Sequence, residues 1–85
     1  MTEQQQKQII KNLLIEQFGI SSSKFQWDLP LQALNPEFEF LVHLFNFERT
    51  LTKEFEKTIP LVEHIIAEYH TPQDIANLVQ RILES

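Results

Sequence analysis

The chain has no cysteine and only one glycine, Gly19. The first absence excludes disulfide scaffolds, thiol nucleophiles and cysteine-ligated metals. The second excludes the glycine-rich loops that cradle phosphates, since those need several residues without a Cβ. Basic side chains are scarce too. Seven stand against twelve acidic ones, for a net charge of −5. A surface that neutralises a phosphate backbone should be basic, so nucleic acid is not an expected partner. No apolar run approaches the ~20 residues of a membrane span. The opening Met-Thr-Glu-Gln-Gln-Gln lacks the pattern of a secretory signal, so a cytoplasmic setting is expected. What the chain does have is apolar bulk: 42% of its 85 residues are hydrophobic, including 11 Leu, 9 Ile and 7 Phe. That suffices for one core and hence a single domain over 1–85.

Helical spacing dominates. Ile9, Ile10, Leu13, Leu14 and Phe18 form one stripe, and Gly19 follows as a left-handed C-cap. Residues 20–34 carry no helical period. There Phe25, Trp27, Leu29 and Leu31 alternate with polar residues or proline, as in an extended loop whose alternate side chains plug the core. Asn35-Pro36 reads as an N-cap followed by proline at the first helical position, and no breaker follows until Pro60. Thr71-Pro72-Gln73-Asp74 repeats the start signal with a capping-box acid. Helices are therefore expected near residues 4–18, 36–57, 61–69 and 72–84, with no sheet. The fold class is all-α: a four-helix bundle with a long first loop and a short third helix. Leu13, Leu14, Phe47, Leu51, Ile65, Leu78 and Ile82 are expected in its core.

On a continuous second helix, Glu39, His43, Asn46, Thr50, Lys53 and Lys57 share a polar stripe. Phe40, Leu44, Phe47, Leu51 and Phe55 lie opposite, as core. Phe38, Leu41, Val42 and Phe45 widen the apolar arc well beyond the ~100° of an ordinary surface helix. Either the first loop covers this widened arc or it remains an adhesive face. Trp27 is expected to anchor the loop over the core.

Phe55-Glu56-Lys57-Thr58-Ile59-Pro60 resembles the end of the second helix in acyl carrier proteins. Thr71-Pro72-Gln73-Asp74-Ile75 resembles the start of that family's last helix, and Gly19-Ile20 its exit from the first. The long first loop, short third helix and acidic charge agree in layout. The resemblance implies an acyl-carrier-like bundle. One departure bears on function. The family carries Asp-Ser-Leu at the start of its second helix, where the serine receives a phosphopantetheine arm. Counting back from Phe55 reaches Phe40-Leu41-Val42, whereas anchoring at the helix start reaches Leu34-Asn35-Pro36. The two frames differ by about five residues, and neither holds a hydroxyl. The resemblance thus implies a divergent member without the prosthetic group, with no cofactor and no enzymatic activity.

Other chemistry is thinly represented. Glu39 with His43 and His64 with Glu68 have i, i+4 spacing, yet a zinc site needs further converging ligands. Solvated helix faces account for both pairs. From Asp28 to Glu48 there are four acids and no Lys or Arg. By resemblance, Glu37, Glu39 and Glu48 would meet a basic surface of a carrier-dependent enzyme. Combining that acidic stretch with the widened arc selects Glu37, Phe38, Glu39, Val42 and Phe45 as the expected partner-binding patch. The functional expectation is a carrier-like protein-interaction module, scaffolding or regulating a lipid- or polyketide-type assembly. The alternative is an unrelated small helical adaptor, inhibitor or immunity-type protein.

Overall fold

A computed structural model describes residues 2–65 and 70–84. Among these described residues five helices follow in order: α1 (Glu3–Phe18), α2 (Leu31–Leu34), α3 (Leu41–Phe55), α4 (Leu61–His64) and α5 (Pro72–Glu84). A 3-10 turn, Pro36–Glu39, lies between α2 and α3, and no strand occurs among the described residues. The radius of gyration is 11.6 Å, close to the ~12 Å of a well-packed chain this long.

Helix ends form where side chains satisfy the free backbone groups. Thr2 and Gln5 make a reciprocal capping box at the start of α1, and Gly19 closes it at φ 64°. Thr71 and Asp74 make a second box at α5: the Thr71 amide donates to Asp74 Oδ2 (2.9 Å) and the Asp74 amide to Thr71 Oγ1 (3.3 Å). The long first connection runs across α1 and fastens to α5. Lys7 Nζ lies 4.5 Å from the Trp27 ring centroid, and Lys11 Nζ 5.5 Å from that of Phe25. Phe25 meets Trp27 edge-on at 5.0 Å. The Leu31 amide donates to the His70 carbonyl and the Gln73 amide to that of Trp27. Ile20, Phe25 and Leu31 are buried and Trp27 is half-buried, so this segment plugs the core as its alternation predicts.

Three expectations require correction. Residues 31–34 form a helical turn instead of extended chain. The third helix ends at His64, with Ile65 extended; the remainder of the expected 61–69 span, residues 66–69, lies outside the described residues. The largest change is in the second expected helix, which does not run unbroken from Pro36. Phe40 is extended (φ −98°, ψ 125°), and the α-helix begins at Leu41. Asn35 explains why. Its Oδ1 accepts from the Glu37 amide at 2.9 Å, capping the 3-10 turn. Its Nδ2 donates to the Phe18 carbonyl at 2.7 Å, tying that turn to the end of α1. The tie carries Phe38 onto Phe18 (ring centroids 4.1 Å), beside Phe47 (5.7 Å from Phe18).

The core follows from this arrangement. Leu14, Phe47, Leu51, Ile65 and Leu78 are buried together, as expected, while Leu13 and Ile82 pack against them half-exposed. Phe40, expected inside, is outside. Residues two apart on a helix differ by about 200° in direction, so a continuous helix could bury only one of Phe38 and Phe40. The extended residue at 40 rotates the turn relative to α3 and reverses the choice.

Candidate partner-binding face

α3 buries Leu44, Phe47, Leu51 and Phe55 on one side. Its first turn presents apolar side chains on the other. Phe40, Leu41, Val42 and Phe45 are 60%, 59%, 58% and 47% exposed, and they are the large exposed hydrophobics of the described chain. Four such residues within six positions form one patch, unlike the scattered single apolar residues of an ordinary surface. At ~1.5–3 kcal/mol for burying one such side chain fully, their exposed portions leave roughly 3–7 kcal/mol of burial open to a partner.

The patch continues into a groove of about 420 Å³, lined by Phe45, by Pro60 just before α4 and by Val62 of α4. Glu48 and Glu63 also line it. Hydrogen bonds set its width: Glu48 Oε1 accepts from the Val62 amide (3.0 Å) and Thr52 Oγ1 from the Ile59 amide (3.1 Å). The Glu48 carboxylate thus holds the start of α4 to α3 through one of its oxygens.

The patch read from sequence is divided by the fold. Val42 and Phe45 lie in the exposed face, with Glu37 and Glu39 exposed beside the turn that leads into it. Glu39 accepts a hydrogen bond from Gln32. Phe38 is a correction: it is only 1% exposed, covered by Phe18 at the end of α1, and offers no side-chain surface to a partner. Phe40 takes its place. Leu41, part of the wide arc but not of the selected patch, joins it. The informative signal was Phe38-Glu39-Phe40 itself, since a two-residue alternation of large aromatics conflicts with a 3.6-residue period.

Among the described residues the histidines do not assemble a site. The break at Phe40 separates Glu39 from the helix that holds His43, and the His43 ring stands 6.2 Å from that of Phe40. Glu68 lies outside the described residues. No group of three His, Asp or Glu able to hold a metal ion occurs among the described residues. No described helix is long and apolar enough to cross a membrane. No protein-family model, no curated protein and no solved structure matches this chain.

Proposed function

We propose that this chain is a small helical interaction module, acting by contact and not by chemistry, that binds a protein partner through Phe40, Leu41, Val42 and Phe45. The contiguous exposure of those four side chains carries the reading. Interface hot spots are apolar or aromatic anchors inside a polar rim, and Glu37, Glu39 and Glu63 provide the rim here. An acidic rim directs a basic partner surface and sets orientation and encounter rate more than affinity.

Within this reading we propose an acyl-carrier-like arrangement lacking the phosphopantetheine arm, serving a lipid- or polyketide-type assembly from the cytoplasm. Two observations support it. Because α3 begins at Leu41 and not at Pro36, the frame set by helix start moves five residues to Glu39-Phe40-Leu41, one residue from the frame counted from Phe55. The Thr71–Asp74 capping box and the Ile59-Pro60 helix exit also lie where the motifs put them. On this reading the exposed apolar residues occupy the place of the acceptor serine. The alternative, an unrelated adaptor, inhibitor or immunity-type protein, is favoured by the extra short helix α2 and the 3-10 turn in place of a simple loop.

Quantitative affinity capture from the native host, with wild-type and Phe45→Asp baits, tests the module. A specific partner should be retained by wild type and reduced at least about tenfold by the variant, the loss expected of a hot spot. A partner set identical for both baits would refute it. The carrier-like part is tested separately with purified carrier-dependent enzymes, which should bind wild type and lose Phe45→Asp. Incubation with a phosphopantetheinyl transferase and coenzyme A should leave the mass unchanged.

A further inference from the structure

The solvent face of α3 carries its free charge in two blocks. Glu37 and Glu39 stand exposed in the turn before the helix, and Arg49 and Lys53 stand exposed along its second half. Phe40, Leu41, Val42 and Phe45 lie between them. Val42, Phe45, Arg49 and Lys53 fall on one helical stripe, at i, i+3, i+7 and i+11. Arg49, Lys53 and the Glu37 carboxylate have no hydrogen-bond or ion-pair partner among the described residues. Glu39 meets only Gln32. The face is thus acidic at one end, apolar at its centre and basic at the other.

Two depressions flank it. One, of about 520 Å³, is lined by Asn46, Arg49, Thr50 and Lys53 of α3 with Gln17 of α1. The other is the groove of Phe45, Pro60 and Val62 on the α4 side. Each has an exposed apolar side chain on its own flank, nearer the helix start. The Phe40 ring stands 6.2 Å from that of His43. His43, Asn46 and Thr50 follow at i, i+3 and i+7, so Phe40 leans to the flank of the first depression. Leu41, Phe45 and Glu48 follow at i, i+4 and i+7, which puts Leu41 on the flank of the second.

A two-fold axis crossing α3 at right angles near Phe45 would set an identical copy antiparallel across this face. Such an axis keeps each flank against the same flank and exchanges the two ends. Phe40 of one copy then faces the first depression of the other, where the Arg49 guanidinium is available to stack on its ring. Leu41 faces the other copy's Phe45–Val62 groove. Glu37 and Glu39 face Arg49 and Lys53.

We propose that the occupant of the α3 face is a second copy of this chain, paired as an antiparallel, two-fold dimer. The inference rests on the reading of this face as an interface and names its partner. A basic segment of another protein would match Glu37 and Glu39 but meet Arg49 and Lys53 with like charge. A second copy matches both ends at once, because an isologous interface is self-complementary. The area is also sufficient. A specific interface takes about a tenth of a small protein's surface, roughly 500 Å² of the 5279 Å² here. At ~150–250 Å² for a whole aromatic side chain, the exposed parts of the four apolar residues supply most of that. The charged residues at both ends supply the rest.

Sedimentation equilibrium of the purified full chain tests the pairing. From roughly 5 to 500 µM it should show a reversible monomer–dimer equilibrium with a midpoint in the micromolar range and no larger species. Phe45→Asp should weaken the dimer at least about tenfold. Glu37→Lys with Glu39→Lys should weaken it about tenfold, although this change moves the net charge of −5 toward zero and so lowers the general repulsion between copies. Arg49→Glu with Lys53→Glu should weaken it by a similar factor. All four reversals in one chain restore both the net charge and the end-to-end match, and should bring the affinity to within about threefold of wild type. Each variant should keep the helical circular dichroism spectrum. A chain that stays monomeric throughout, association beyond the dimer, a dimer indifferent to Phe45→Asp, or a fourfold variant as weak as either pair would overturn the assignment. If the chain is monomeric and Phe45→Asp still abolishes capture of a host protein, the dimer is overturned and the interaction module stands. If the dimer is lost in Phe45→Asp while both baits capture the same host proteins, the pairing is supported and the face serves self-association alone.

Discussion

Truncating Phe38 and Phe40 to alanine, one at a time, tests the feature on which the proposed face depends. Phe38 is 1% exposed and stacked on Phe18, whereas Phe40 is 60% exposed. Phe38→Ala should cost ~3–5 kcal/mol, the usual range for a buried phenylalanine with its cavity. Phe40→Ala should fall within ~0.5 kcal/mol of wild type, as surface changes do. For a domain this size 1 kcal/mol moves the melting temperature by ~4–8 °C. Thermal denaturation followed by circular dichroism should therefore show a loss of at least ~12 °C for the first variant and no more than ~4 °C for the second. Total stability at ~0.05–0.15 kcal/mol per residue is of the same order as the larger loss. Phe38→Leu, which keeps most of the apolar volume, preserves a measurable transition if Phe38→Ala unfolds. An unbroken helix from Pro36 makes the opposite prediction, because it buries Phe40 and exposes Phe38. Phe40→Ala destabilising as much as Phe38→Ala would refute the break at residue 40 and, with it, the composition of the face.

Asn35→Ala removes both the cap on the 3-10 turn and the bond to the Phe18 carbonyl, and should cost ~1–2 kcal/mol in urea melts. Asn35→Asp, which can keep the cap but not the donor, should lie between the two. Leu51→Ala, at a fully buried position, should cost ~2–5 kcal/mol; a loss below ~1 kcal/mol would place Leu51 outside the core. Thr71→Ala should cost ~1 kcal/mol by removing half of the capping box at α5. Glu37→Lys with Glu39→Lys should leave the circular dichroism spectrum intact and weaken partner capture most at low salt; capture unchanged across ionic strength would remove the acidic rim from the interface.

The elements legible in the sequence are those where local signals and packing agree. α1 combines an apolar stripe with the Gly19 cap, α5 an apolar stripe with a capping box, and both form within a residue or two of their expected limits. Gly19 closes α1 because a left-handed residue is needed there and a glycine supplies it. Around residue 40 the signals conflict. The Asn35-Pro36 start is genuine, yet it opens a single 3-10 turn, because Asn35 also serves the end of α1 seventeen residues earlier in the chain. That long-range bond leaves no periodic trace.

Phe40 carries the strongest argument that the face is functional. As N-cap of α3 it makes no side-chain hydrogen bond to the helix, so the first turn lacks the local stabilisation that Ser, Thr, Asp or Asn would supply. A polar residue there would strengthen the helix by ~1 kcal/mol and remove exposed apolar surface as well. Stability and solubility therefore both disfavour phenylalanine at this position. The same holds to a lesser degree for Leu41, Val42 and Phe45, which sit on the solvent side of a helix whose opposite side already fills the core. Local violations of this kind concentrate where a sequence serves something besides its own fold. Replacing Phe40 with Asp puts the two demands in opposition. The substitution should raise the melting temperature through the new cap while abolishing partner capture. A variant that gains stability and keeps full capture would show that Phe40 serves neither purpose, and the centre of the face would then have to move to Phe45 and the groove it shares with Val62.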